Sequence, residues 1–258
     1  MRSTYVIFKK ELKGYFFSPL FYFIAFVMTI LLSVMFAIQL EKFAFSAANA
    51  MMQFGVSPQQ QNIHYALFLP HLSLVNLLLI FLIPALSMRL IAEEKKMRTF
   101  DLLLTSPISS TSIVLGKYLA TLVTIFGLIA VAMIYPLVSR QMAQFAWAPT
   151  LIAALGIFLV AAVYAAMDLF ASSLTDNALI AFVLSIVFNL ALWFVGALNE
   201  SFDAPLAKKV LEHISLNTHL AGLIEGTIRT NGLVFFASLI FLFCFLTERV
   251  IESARWRA

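Results

Sequence analysis

Charge is what this sequence has least of. Only 12% of its 258 residues are Asp, Glu, Lys or Arg, while 62% are hydrophobic. A soluble domain carries roughly a quarter charged residues, and no single core in water could bury this much apolar surface. The mean hydropathy of +0.96 agrees, so the solvent for most of the chain is lipid. Cysteine is nearly absent as well. Cys244 stands alone inside an apolar run, which excludes an intrachain disulfide and leaves the redox compartment unmarked. There is no H-E-x-x-H motif and no Cys cluster, so neither a metal nor another cofactor is expected on this chain. A nucleotide loop is missing too. "LGKY" (115–118) contains Gly-Lys, but Thr111 and Tyr118 stand where a P-loop needs Gly and Ser or Thr. No signal peptide, internal repeat or low-complexity linker is found, and one membrane domain over 1–258 is expected.

What is present is apolar runs of spanning length. Six of about the 20 residues a transmembrane helix needs cover roughly 17–40, 66–90, 112–138, 148–172, 177–198 and 231–248. They lack the alternation of a membrane β-barrel, so the expected fold is all-α with six spans. Lys and Arg divide unequally between the connections. Arg2, Lys9, Lys10, Lys13, Arg89, Lys95, Lys96, Arg98, Lys117, Arg249, Arg255 and Arg257 fall on one side, against Lys42, Arg140, Lys208, Lys209 and Arg229 on the other. Cytoplasmic connections carry the excess of basic residues, which puts both termini and the 92–110 segment inside, with 41–65 and 199–230 outside. The net charge of +4 is thus a sign of topology, and no nucleic-acid partner is implied.

The polar segments carry the functional clues. "TYVIFKKELKGYFFSPL" predicts an interfacial amphipathic helix over 4–17. Tyr5, Phe8, Leu12, Tyr15 and Phe16 share one arc, Lys10, Glu11 and Lys13 point elsewhere, and Lys9 borders the stripe. It serves as a membrane anchor or as a lever for a cytoplasmic partner. Ser18-Pro19 then turns the chain into the first span. The longest polar interruption is "AEEKKMRTFDLLLTSPIS" (92–109). Glu94 and Arg98 are spaced for a helical ion pair, Phe100 and Leu104 lie one turn apart, and Pro107 ends the run. "SSTS" (109–112) offers N-cap hydroxyls for span three. The apolar patch Phe100, Leu102, Leu103 and Leu104 rides on a charged connection, where it needs cover from the bilayer edge or another protein.

The run "EEKKMRTFDLLLTSPISSTSIVLGKYLA" (93–120) resembles the signature of type-2 ABC exporter permeases. "FKKELKGYFFSP" at the start is similar as well, and 215–256 resembles the gliding-motility-associated branch of those permeases. By this resemblance Glu93, Glu94 and Lys95 open a cytoplasmic coupling segment, 92–110. Thr99, Leu102, Leu103, Leu104, Thr105, Ser106 and Pro107 form its short helix and stop, and Gly116 and Lys117 begin span three. Arg98 departs from the family's usual Gly, and Ser112 from an acidic or amide residue. The resemblance implies a six-helix permease of the bacterial inner membrane, paired with a second copy and with two cytoplasmic ATPase subunits that bind ATP and Mg. A periplasmic auxiliary protein is a further possible partner. The outer connection 199–230, which reads as two short amphipathic helices, has its analogue in helices dipping back into the outer leaflet.

The remaining polar residues are read more plainly. His64, His71, His213 and His219 are expected as interfacial histidines, and Asp168 as an interfacial or partner-facing cap. Asn76 and Asn189, deepest in the apolar runs, either glue helices together or line a path. The chain itself is expected to catalyse nothing. The leading function is ATP-driven export; its rival is mechanotransmission, in which ATP-driven motion reaches a periplasmic partner and no solute crosses. An ion-coupled transporter expects paired mid-membrane charges or broken helices, which are not evident, and no catalytic pair suggests an intramembrane protease.

Overall fold

The computed structural model describes residues 2–52, 62–141, 143–198, 211 and 213–256, and these residues are helical with no strand among them. The chain runs α1 (Arg2–Phe17), α2 (Pro19–Met52), a π-helical turn (His64–Phe68), α3 (Leu69–Ser87), α4 (Ala92–Lys96), α5 (Thr99–Thr105), α6 (Ser110–Ala132), α7 (Ile134–Ser139), α8 (Trp147–Leu174), α9 (Ala178–Leu198), α10 (Leu216–Ile224) and α11 (Thr230–Arg255). Six stretches are long and apolar enough to cross a membrane: Pro19–Ala48, His64–Lys96, Ser110–Ser139, Trp147–Leu174, Ala178–Val195 and Thr230–Arg255. They match the six runs expected from sequence. The main difference is α2, which continues past residue 40 to Met52. The tail "EKFAFSAANAMM" contains neither Pro nor Gly, so the apolar run ends there but the helix does not.

The bundle is organised around α8, which touches α3, α6, α9, α10 and α11. Its sequence explains the position. Gly156, Ala161, Ala162, Ala165, Ala166 and Ala171 are buried along it, and small residues let helix backbones approach closely where no hydrophobic effect drives them together. At Gly156 a Cβ would stand 2.8 Å from Leu223 Cβ of α10. Only the second of the two short helices expected in 199–230 is described, as α10; 205–210 and 212, in the first, lie outside the described residues.

Span two is broken near one end. Pro84 lies inside α3, whose last hydrogen bond closes from Met88 N to Pro84 O at 2.9 Å. The chain then turns through 88–91 before α4. Ser172 of α8 bridges this break, accepting from Ile91 N (3.2 Å) and Ala92 N (3.1 Å) and donating to Met88 O (3.0 Å). Backbone groups freed inside a bundle need such partners. A second break follows at Arg98, whose φ of 57° is left-handed. Glycine adopts that conformation without the cost of roughly 1–2 kcal/mol borne by other residues, so Arg98 keeps the tight turn its side chain disfavours. Ser106 is extended (ψ 152°) as the residue before Pro107 should be, and ends α5. Ser109 caps α6 by accepting from Ser112 N, as "SSTS" predicts.

One packing test follows from Gly156. Gly156→Val should push α10 off α8 and cost about 1–3 kcal/mol. Hydrogen exchange within 216–224 should rise while exchange in α1 stays unchanged. Equal protection of 216–224 in both proteins would contradict the close approach.

Candidate functional site

The N-terminal helix, the 92–110 segment, the start of span three and the end of span six meet at one end of the bundle. Their meeting point is Lys117, in the second turn of α6. Its side chain is only 1% exposed. The ammonium donates to Leu90 O (2.6 Å) and Glu11 Oε1 (2.9 Å), and lies 2.9 Å from Glu94 Oε2. Lys10 joins from the water side, donating to Glu94 Oε1 at 2.8 Å and lying 3.5 Å from Glu11 Oε1. Four charges on α1, α4 and α6 thus form one network, and the lysine also satisfies a carbonyl left open where span two breaks. Burial lowers the Lys10 pKa, but hydrogen bonding and charge from Glu94, together with Glu11, outweigh it and raise the value above 10.5.

Gly116 makes the network possible. A Cβ there would meet Ile7 Cβ at 2.8 Å and Thr4 O at 3.0 Å, so α1 lies directly on the α6 backbone. One turn beyond Lys117, the Tyr15 hydroxyl sits 3.0 Å from Thr121 Oγ1. Gly116 and Lys117 are therefore the seat of the N-terminal helix, beyond marking where span three begins. The stripe on α1 divides accordingly. Phe8 and Leu12 pack toward the core and Tyr15 is buried, whereas Tyr5 and Phe16 remain exposed. Ile7 is the residue that meets Gly116, and Glu11 faces the protein rather than solvent. Lys9 is exposed.

Several sequence expectations change in the 92–110 segment. Glu94 pairs with Lys10 and Lys117 instead of Arg98, because the left-handed turn at Arg98 interrupts the helix that would have aligned them. Phe100 is buried, with the Lys95 ammonium 5.6 Å from its ring centre, so it belongs to the core and not to an exposed patch. Lys95 also donates to Ser173 O at the end of α8. Leu103 is half-buried against the core, while Leu102 is 71% exposed. The Leu104 side chain lies outside the described residues. Thr99 and Thr105 are exposed and bond backbone within the segment, to Glu94 O and Leu102 O, and Pro107 is exposed at its end. Glu93 is half-buried.

The end of α11 was not singled out in the sequence, yet it ties onto the same region. Ser110 donates to Glu252, Thr111 to Glu248 Oε1 (2.6 Å), and Arg255 to Ile108 O (2.7 Å). The i,i+4 spacing of Glu248 and Glu252 at the end of an apolar span was the available signal.

Deeper in the bundle the polar residues separate. Asp168, expected near an interface, is fully buried and accepts from Ser87 Oγ at 3.1 Å. The central position of α8, packed against α3 and α9 among others, covers it. Asn189 is buried and donates to Ile80 O at 3.4 Å, a helix-packing contact. Asn76 instead lines a groove of ≈ 780 Å³ between α3, α8 and α10, with Trp193, Asn217 and Glu225. The His64 and His71 side chains are buried. His64 reaches Ile224 O (3.0 Å) and His71 reaches Ala132 O (3.1 Å). No group of three metal-ligating side chains occurs among the described residues.

The lysine network yields a stability test. Lys117→Met leaves two acids facing each other and should cost about 2–3 kcal/mol, below the usual loss for a broken buried pair because both acids keep Lys10 and some water. Adding Glu11→Gln and Glu94→Gln should recover much of that loss, since the neutral set no longer carries an unpaired charge. Unfolding in denaturant measures both steps, and a Lys117→Met protein as stable as the parent would remove the network from its central place.

Among curated proteins none matches the chain. The profile of the family described as ABC-2 family transporter protein matches residues 5–247, which takes in most of α1, the first five spans, most of the sixth, and Lys10, Glu11, Glu94 and Lys117. Six membrane-spanning helices, a broken second span and a helix seated on the third are thus the architecture of a permease, and the chain belongs to the ABC-2 transporter family.

Proposed function

We propose that this chain is the membrane permease of an exporter driven by separate ATPase subunits, acting as a homodimer in the bacterial inner membrane with both termini in the cytoplasm. The observation that carries this is the junction at Lys117. Through it α1, the break after α3, α4 and α6 form one charge-linked unit, and α11 ties onto the neighbouring 106–111 stretch. The coupling helix α5 leaves Leu102 exposed beside it. A partner bearing on α5 or on the outer face of α1 can thereby move spans two, three and six together. Coupling of this kind needs contacts that differ between two states, and a rigid junction next to an exposed docking residue supplies the transmitting part. ATP and Mg belong to the partner, because no P-loop exists in this chain. The uncovered apolar faces of α2, α9 and α11 leave room for a second copy. The groove bearing Asn76, Asn217 and Glu225 favours cargo movement over pure transmission of motion to a periplasmic protein. We read the last third of the chain as belonging to a permease of the gliding-motility-associated branch, which its sequence resembles.

Two experiments test this reading. Leu102→Asp should abolish copurification of the ATPase while the permease keeps its melting behaviour, since a carboxylate buried at a contact without a partner costs several kcal/mol. Undiminished copurification would count against α5 as the docking element. Separately, in a Cys244→Ala background, a membrane-impermeant thiol reagent should label Ala48→Cys but not Met97→Cys in intact cells. The opposite pattern would invert the topology.

A further inference from the structure

A cavity of ≈ 420 Å³ opens between the second half of α1, the first turn of α2 and the break after α3, a size within the range of small-molecule sites. Its wall is divided. Leu20, Phe21 and Leu86 line it with hydrocarbon, while Arg89 and Glu93 line it with opposite charges. The other charged groups at the cavity, Lys10, Glu11 and Glu94, are already held in the lysine network. Arg89 and Glu93 are not. Neither side chain has an ion-pair or hydrogen-bond partner among the described residues. They stand one turn apart, with Glu93 N bonded to Arg89 O at 3.4 Å, yet their side chains form no pair.

We infer that this cavity holds the headgroup of a zwitterionic phospholipid with a primary amine, its phosphate on Arg89 and its ammonium on Glu93. An arginine presents a planar fork that suits phosphate oxygens, and a carboxylate accepts hydrogen bonds from an ammonium. The hydrocarbon wall receives the glycerol end and the first acyl carbons. The site's height in the bilayer fits. Ser18 and Pro19 mark the turn from the amphipathic helix into the first span, and Arg89 closes the apolar stretch of span two. Both belong at headgroup level, where lipid is the most abundant molecule. A polar loop of a partner protein would satisfy the two charges but leave Leu20, Phe21 and Leu86 against polar atoms. The inference goes beyond the exporter reading and does not depend on it.

Native mass spectrometry of the purified full chain, titrated with phosphatidylethanolamine, its mono- and dimethylated forms, phosphatidylcholine and phosphatidylglycerol, tests the assignment. Phosphatidylethanolamine should be retained most strongly, with affinity falling at each methylation to roughly ten-fold weaker for phosphatidylcholine, as expected when charge-assisted hydrogen bonds are removed. Arg89→Gln should weaken all five lipids, whereas Glu93→Gln should abolish only the preference among the amines. Glycerophosphoethanolamine, which lacks acyl chains, should compete poorly. Equal retention across the methylation series on the unmodified protein overturns the proposal without reference to any variant. If the Arg89→Gln, Glu93→Gln protein kept the lipid preference but lost the ATPase, the cavity would be a protein contact and the lipid assignment wrong.

Discussion

A buried ammonium requires acceptors for its protons and negative charge nearby, and Lys117 obtains them from three different elements. Leu90 O comes from the break after span two, Glu11 from α1 and Glu94 from α4. Because the cost of leaving that charge unpaired is large, each element is held in the one place where its oxygen reaches Nζ. The close approach at Gly116 and the left-handed turn at Arg98 both serve that arrangement. The first lets α1 lie near enough, and the second ends α4 so that the chain turns away into α5.

The two ends of the bundle are held by different physics. The end that carries α1 and α5 is joined by ion pairs and charge-assisted hydrogen bonds across five elements. The other end is joined by close packing and by hydrogen bonds of His64. There α10 rests on Gly156 of α8, Pro149 touches Gly226, and His64 bridges Thr150 and Ile224 O. Ion pairs can be exchanged for other ion pairs with little change in shape, whereas close packing has few alternatives. A bundle built this way concentrates its adjustable contacts where a partner would act and its fixed ones at the opposite surface.

How much of this was legible in the sequence depends on the range of the interaction. The six spans follow from local hydropathy, and the cap at Ser109 and the stop at Pro107 follow from neighbours three residues away or fewer. Lys117 was read as a basic residue where span three begins, and nothing local names its partner Glu11, which lies 106 positions away. Glu94 was assigned to Arg98 because i,i+4 spacing is the only pairing a helix pattern can express. The backbone turn at residue 98 defeats it. Asp168 was misplaced because hydropathy marks where a helix is greasy and not how it is surrounded: α8 is the central helix, and even its last turns are covered by the end of α3 and the break that follows it. Phe100 looked exposed because a short amphipathic helix does not reveal which of its apolar residues turns inward.

The lysine network has a further consequence through its balance of charge. Lys10 and Lys117 against Glu11 and Glu94 sum to zero, and the four side chains sit close enough to shift as one body. Moving a single elementary charge across the full membrane potential involves about 2.3 kcal/mol per 100 mV, but a neutral cluster displaced as a unit does almost no electrical work. A displacement of the whole cluster would therefore cost nearly the same at any degree of membrane energisation.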